Sequence, residues 1–255
     1  MRTQRKIRRW LCPADFNSEL ERQERRILSG TCEWLFVEEQ FKQWLIWSGT
    51  TSSINTFLLS GKPGCGKSVL AAATIRHLST GGQIPLVYFL FRSTQENYCT
   101  SLSAVRALLY QLLDVEPQVE ELLLPLYHSS GNENAASFHL LWAVFTKVLG
   151  LTPQIFCVLD ALDECEEDAI LLQRFIDLQT RIPNVKLFVT ARPALTFSSI
   201  VLPGVEFQVE PVKVNSDIRK YIAHEVDASS KLTKSGLKND IVDRLSNGAD
   251  GMFLW

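Results

Sequence analysis

Gly61-Lys62-Pro63-Gly64-Cys65-Gly66-Lys67-Ser68 decides the fold of this 255-residue chain. The octet has the spacing G-x-x-x-x-G-K-[ST]. Its glycines let the backbone curl until consecutive N–H groups point inward, which makes a cradle for an anion. The flanks are the ones such a loop needs. Ile54 to Ser60 (INTFLLS) reads as a buried strand running into it, and Lys67 to Leu78 as an alanine-rich helix leaving it, stopped by Gly81-Gly82. The helix aims its positive dipole end at whatever the loop holds. In that geometry Lys67 is a point charge for β and γ phosphates and Ser68 offers an oxygen to Mg²⁺. The candidate nucleotide contacts are therefore Gly61, Lys62, Pro63, Gly64, Cys65, Gly66, Lys67, Ser68 and Val69, with Lys62 and Cys65 at variable positions. The competing reading is a glycine-rich turn with a chance Gly-Lys-Ser, and the strand and helix around the loop speak against it.

Downstream, strand-like and helix-like segments alternate. Pro85 to Phe91 (PLVYFLF), Gln154 to Asp160 (QIFCVLD) and Asn184 to Thr190 (NVKLFVT) are near-continuous apolar runs, as expected of strands covered on both faces, and Gly204 to Val209 is a weaker fifth. Helical patterns cover Leu102–Leu113, Pro117–Tyr127, Phe138–Leu149, Asp168–Gln179, Asp217–Val226 and Lys238–Leu245. Alternation of this kind predicts a parallel sheet with helices on both faces.

The third apolar run ends in a carboxylate, Asp160. The carboxyl ends of parallel strands form the ligand-binding edge, so Asp160 is placed to hold Mg²⁺ together with Ser68. Asp163 and Glu164 follow at once, and a carboxylate there can orient or deprotonate a water facing a γ phosphate. Glu164 is the first choice for that role and Asp163 the second. Glu166, Glu167 and Asp168 read as the acidic N-terminus of the next helix. Arg192, at the end of the fourth strand in Thr190-Ala191-Arg192-Pro193, is a candidate γ-phosphate contact, and Arg92 a weaker one of the same kind. His77, His128, His139 and His224 show no convergent pattern.

The first fifty residues have a different character. Asp15 to Ile27 is charge-rich and helical. From Glu33, the apolar positions Trp34, Leu35, Val37, Phe41, Trp44, Leu45 and Trp47 recur at helical spacing, and the tryptophans are expected to pack on the domain body. Ser48 to Ser53 reads as a linker. The basic cluster Arg2, Arg5, Lys6, Arg8 and Arg9 reads as a solvated N-terminal arm. This gives three regions: a helical extension over 1–50, a core over 51–212, and the start of a C-terminal helical region over 213–255.

A chain with 46% hydrophobic and 21% charged residues can bury a sizeable core. Its formal net charge of -2 speaks against a general nucleic-acid binder. The six cysteines (Cys12, Cys32, Cys65, Cys99, Cys157, Cys165) make no C-x-x-C pair and read as free thiols of a reducing compartment. No long uncharged apolar run suggests a membrane segment and no signal peptide is legible, so the default location is cytoplasmic. The apolar ending Gly251-Met252-Phe253-Leu254-Trp255 has no stop signal and reads as a chain continuing inside an element.

GKPGCGKS, FCVLDALDEC and KLFVTARP, in this order, resemble the NACHT class of STAND P-loop NTPases, in particular fungal NLR-like proteins and the nephrocystin-3-like N-terminal domain. Ala161 directly after the Walker B Asp160, then the Asp163–Glu164 pair, matches the NACHT form of that motif. ILSGTCEWLFVEEQFKQWL resembles the stretch before the phosphate loop in fungal members, and GADGMFLW the helix after the core. The resemblance implies an ASCE-type three-layer α/β/α fold with strand order 5-1-4-3-2. It also implies a switch that binds ATP or GTP with Mg²⁺, hydrolyses it slowly, and controls oligomerisation and signalling. Members join this domain to an N-terminal effector, a winged-helix region and C-terminal repeats, and neither a winged-helix segment nor repeats are legible in this sequence. The alternatives that stay open are a nucleotide-binding scaffold without significant hydrolysis and a P-loop kinase-type enzyme.

Overall fold

The computed structural model describes residues 2–11, 13–47, 54–82, 84–129, 136–193, 200, 202–229 and 238–253. Cys12, the linker reading over Ser48–Ser53, and Leu254-Trp255 lie outside the described residues.

Five strands form one parallel sheet: β1 (Thr56–Ser60), β2 (Leu86–Leu90), β3 (Ile155–Asp160), β4 (Val185–Ala191) and β5 (Gly204–Gln208). Their order is β2-β3-β4-β1-β5, the expected 5-1-4-3-2 read from the other edge. Every residue of β1, β3 and β4 is buried, because helices cover both faces of the sheet, and this is why the strands read as unbroken apolar runs. Alternate side chains still serve opposite cores. Leu58, Cys157, Leu159, Leu187 and Val189 enter one, and Phe57, Leu59, Phe156, Val158 and Phe188 the other. Register pairs Ser60 with Ala191 and Leu90 with Asp160, so the carboxyl ends come out at one edge of the sheet.

On the first face pack α1 (Arg2–Leu11), α6 (Ser101–Val115), α7 (Gln118–Ser129), α8 (Phe138–Leu151) and α9 (Asp168–Arg181). The second face carries α3 (Glu33–Val37), α4 (Glu39–Leu45), α5 (Lys67–Thr80), α10 (Pro211–Ala228) and α11 (Lys238–Gly248). Helix α2 (Phe16–Glu24), capped by Asp15 through the Ser18 N–H, serves both: Phe16 enters the first core and Leu20 packs on the second. Edge strand β2 is guarded from pairing by Gln111 of α6, whose amide accepts from Tyr88 N (3.0 Å) and donates to Tyr88 O (2.8 Å).

Two expectations for the N-terminal region need correction. The basic cluster is not a solvated arm. It lies on α1, an amphipathic helix whose Ile7, Trp10 and Leu11 are buried at i, i+3, i+4 while Arg5, Lys6 and Arg9 face solvent. Arg8 pairs with Asp114 and lies 4.7 Å from the Tyr110 ring centroid. The single helical pattern from Glu33 breaks at Glu38, which is extended (φ -63, ψ 135), and Val37 is left facing solvent. The tryptophans do pack on the body: Trp44 is fully buried against Phe57, Phe156 and Phe188, and Trp47 meets Phe156.

Candidate functional site

The loop after β1 turns into α5 at Gly66, which has φ 91 and caps the helix without a side chain. No L-residue holds that backbone angle cheaply, and the bare cap leaves the first N–H groups of α5 pointing into the loop. Lys67 folds over it, donating to Gly61 O (2.6 Å) and Lys62 O (2.9 Å). The Cys65 thiol is buried, and burial pushes its pKa up against the opposing charge of Lys67, so it stays a protonated packing group.

Asp160 closes β3 and is 2% exposed. Burial pushes its carboxyl pKa up, opposed by hydrogen bonds from the Thr190 and Ser68 hydroxyls and by the Lys67 charge. Thr190 is fixed in turn, accepting from Ala161 N at 2.8 Å. Ser68 and Asp160 thus set two hard oxygen donors side by side, which fits a Mg²⁺ that takes the rest of its shell from phosphate and water.

Beyond Asp160 the chain reverses at Ala161 (φ 53) into a short 3₁₀ turn, Leu162–Glu164. The two carboxylates of that turn have different partners. Asp163 accepts from Arg192 through both oxygens, Oδ1 from the backbone N (3.0 Å) and Oδ2 from Nε (2.5 Å). Glu164 Oε2 accepts from Ser93 N (2.8 Å) and Oγ (3.1 Å), on the loop after β2. Glu167 reaches Ser101 N and Oγ at the start of α6, so it ties two helix starts together as well as preceding its own.

A cavity of about 500 Å³ opens over the loop. Residues Pro63 to Val69, Asp163, Glu164 and Arg192 line it, whereas Gly61 and Lys62 do not. Asp160 lines an adjoining polar cavity with Ser68 and Glu164. The structure therefore gathers the sequence candidates at one place. Its other walls were not named as site residues from the sequence. Thr31 and Cys32 come from the segment leading into α3 and Trp34 from α3 itself, Val214, Asp217 and Tyr221 from α10, and Phe253 from the chain's last described turn. Asp217, 5% exposed, fastens two of these walls together, accepting from Cys32 N (2.7 Å) and Trp34 Nε1 (3.2 Å). Burial pushes its pKa up as well. A buried carboxylate on an amphipathic helix is the signal that could have marked this wall.

The last turn presses on the loop itself. Phe253 N donates to Gly64 O at 2.8 Å. A Cβ on Gly66 would stand 3.1 Å from the Phe253 ring. Gly251 makes this approach possible: its φ is 77, and a Cβ there would lie 2.9 Å from Pro211 Cα.

The sequence profile described as Nephrocystin 3, N-terminal matches residues 30–192, well over half of the chain. No curated protein matches the sequence significantly. Among solved structures, the Walker-type ATPase PABY2304 of Pyrococcus abyssi is 14% identical with TM-score 0.51, over 89% of this chain and 65% of its own. AMPPCP-bound DnaA from Aquifex aeolicus is 12% identical with TM-score 0.47, over 89% and 60%. The Aeropyrum pernix ORC1 protein in complex with DNA is 17% identical with TM-score 0.45, over 89% and 58%. The chain thus spans about three-fifths of the length of these structures. The likeness to the Pyrococcus ATPase shows a shared P-loop ATPase fold. The other two are too distant to transfer a ligand, and the only ground against nucleic-acid binding here is the charge balance. No helix among the described residues is long and apolar enough to cross a membrane.

Proposed function

This chain belongs to the nephrocystin 3, N-terminal family, and from the geometry of its phosphate loop we propose that it is a nucleoside-triphosphate-binding switch domain of the STAND type. It takes ATP or GTP with Mg²⁺ and hydrolyses it slowly. One observation carries this reading: Lys67 and Ser68 line a cavity of about 500 Å³, within the usual range for small-molecule sites, and Asp160, hydrogen-bonded to the Ser68 hydroxyl, lines the polar cavity beside it.

Each residue then has a role. The loop N–H groups and the α5 dipole hold the phosphates, and Lys67 leaves its carbonyl partners for the β and γ oxygens. Ser68 and Asp160 hold Mg²⁺, which when bound spreads the charge of the phosphate oxygens. Glu164 orients the attacking water, and Asp163 positions Arg192 toward the γ phosphate. The Cys32 and Trp34 wall shelters the base. In the switch reading, nucleotide state is passed to a winged-helix region, C-terminal repeats and an oligomeric assembly.

A second reading, a nucleotide-binding scaffold without hydrolysis, is favoured by one feature. Glu164 is held by Ser93 and Asp163 by Arg192, so both carboxylates are already engaged. Calorimetric titration of ATP, ADP, GTP and GDP with Mg²⁺ tests nucleotide binding. Lys67→Ala removes a charge-assisted contact and should cost about 2–4 kcal/mol, roughly thirty- to a thousand-fold in affinity. A parent chain that binds none of the four refutes the proposal. Binding without phosphate release, unchanged in Glu164→Gln, selects the scaffold reading.

A further inference from the structure

Helix α2 stands at the phosphate end of the site, with a group of polar side chains that the roles above leave unused. Glu19, 6% exposed, is its centre. Its carboxylate accepts from Arg22 Nη2 (2.7 Å) and from Gln23 Nε2 (2.8 Å), and it pairs with Arg92 from the loop after β2. Because a carboxylate only accepts, Glu19 fixes the Gln23 amide with its nitrogen inward. The Gln23 carbonyl oxygen therefore points the other way. Among the described residues it is buried and has no hydrogen-bond partner, and Gln23 itself is 4% exposed. Buried acceptors without donors are rare and mark a missing partner.

Where these groups face identifies the partner. A polar cavity of about 280 Å³ is lined by Glu19, Arg22, Gln23 and Arg92 together with Ser68, Asp160 and Glu164. Arg22 and Gln23 also line the larger nucleotide cavity. Ser68, Asp160 and Glu164 are the residues assigned above to Mg²⁺ and the attacking water, so the arginines share a cavity with the position of a γ phosphate. Two guanidinium groups face three carboxylates there, so the anion that fits is one arriving with its own divalent cation, as a nucleoside triphosphate does. A guanidinium has five N–H donors. Arg22 gives Nε and Nη2 to Glu19, and among the described residues its Nη1 donors are left for a second anion.

We propose that Arg22 and Arg92, anchored on Glu19, read the γ phosphate, so that the N-terminal helix α2 is a triphosphate-specific wall of the nucleotide site. Gln23 Oε1 accepts from a water or hydroxyl brought by the bound nucleotide. This rests on the nucleotide-binding reading and deepens it: the station distinguishes a triphosphate from a diphosphate. It also makes α2, and through it the packing of the N-terminal helices, sensitive to which one is bound.

The competing account is that Glu19 only pins α2 to the end of β2. Titration of the full chain with AMPPNP and ADP, and with GMPPNP and GDP in parallel, all with Mg²⁺, separates the two. Arg22→Gln and Arg92→Gln should each weaken the triphosphate analogue by about tenfold or more while leaving the diphosphate within about twofold. Equal losses for both nucleotides, or no loss for either, overturn the inference. Arg22 is half-exposed, so Arg22→Gln keeps the test valid if Arg92→Gln fails to fold. A parent that binds no nucleotide overturns the nucleotide reading and this inference with it. A parent that binds normally, with arginine variants that discriminate as it does, overturns this inference alone.

Discussion

Asp217→Ala removes the acceptor that joins α10 to the segment entering α3, and its cost can be worked from the two bonds it breaks. Asp217 Oδ2 takes the backbone N–H of Cys32, which is buried and held at φ 67, and the indole N–H of half-buried Trp34. Stranding a buried donor costs about 1–3 kcal/mol, and the Trp34 nitrogen recovers part of its loss from water, so the sum is about 2–4 kcal/mol. For a chain of this size about 1 kcal/mol moves the melting temperature by 2–4 °C, which gives a drop of about 5–15 °C. Asp217→Asn separates the hydrogen bonds from the charge. Burial raises the carboxyl pKa, so ionised Asp217 weakens the fold, increasingly as pH rises above the ordinary carboxylate range. Asn keeps an acceptor oxygen and removes the ion, so it should lie within about 1 kcal/mol of the parent at pH 7. Its advantage in charge should shrink toward pH 4. Circular-dichroism melts with urea titrations at both pH values read these changes. If the Ala and Asn variants melt together at pH 7, the two bonds are not what holds this wall. Because Cys32 and Trp34 line the cavity proposed to hold nucleotide, the Ala variant should also weaken nucleotide binding, whereas the Asn variant should not.

Two further outcomes follow from buried charge. Asp160 also has its pKa raised by burial, so above the ordinary carboxylate range its ionised form costs stability in the nucleotide-free chain; Asp160→Asn should raise the melting temperature by about 2–4 °C, for about 1 kcal/mol, while abolishing Mg²⁺-dependent nucleotide affinity. Lys186 is fully buried, donates to Ile54 O at 2.6 Å and has its pKa lowered by burial to about 8. The unfolded chain binds more protons between that value and the ordinary lysine pKa, so stability should rise from pH 8 toward pH 10, and Lys186→Met should flatten the rise and gain on the order of 1 kcal/mol at pH 7 in denaturant titrations.

The central sheet was legible because burial on both faces leaves a simple mark. Phe57-Leu58-Leu59 and Phe156-Cys157-Val158-Leu159 are apolar whichever face each residue meets. The phosphate loop and Asp160 were legible because their chemistry demands fixed spacing. Strand order left no such mark and came from family resemblance. Helix α1 was misread because its arginines outnumber the three residues it buries, although Ile7, Trp10 and Leu11 already carried the stripe. The walls of the cavity were invisible for a different reason. Cys32 and Trp34 contribute shape, and shape has no required spacing. The partners of the carboxylate pair were hidden too: a lone Ser93 carries no signal, and only the reversal at Ala161 brings Asp163 to Arg192.

The way the last turn meets the loop limits how strongly the two can influence each other. The Lys62–Asp250 pair is exposed on both sides, and such pairs contribute little. What remains is the bond from Phe253 N to Gly64 O and the packing of the Phe253 ring on Gly66. Both act on the loop that must hold the phosphates in the proposed reading. Linkage then works in both directions: whatever draws the turn away changes nucleotide affinity by the same factor by which nucleotide changes the cost of moving it. One hydrogen bond and one half-buried ring place that coupling in the usual range of about 1–3 kcal/mol, or roughly 5–150-fold. That is enough to bias a switch between two populated states. It is short of the approximately ten-thousandfold differential needed to drive a 1:99 population to 99:1 through this contact alone. In the proposed switch, a full reversal of state would therefore need a second contact besides the Phe253 turn, for which the α2 wall is the candidate.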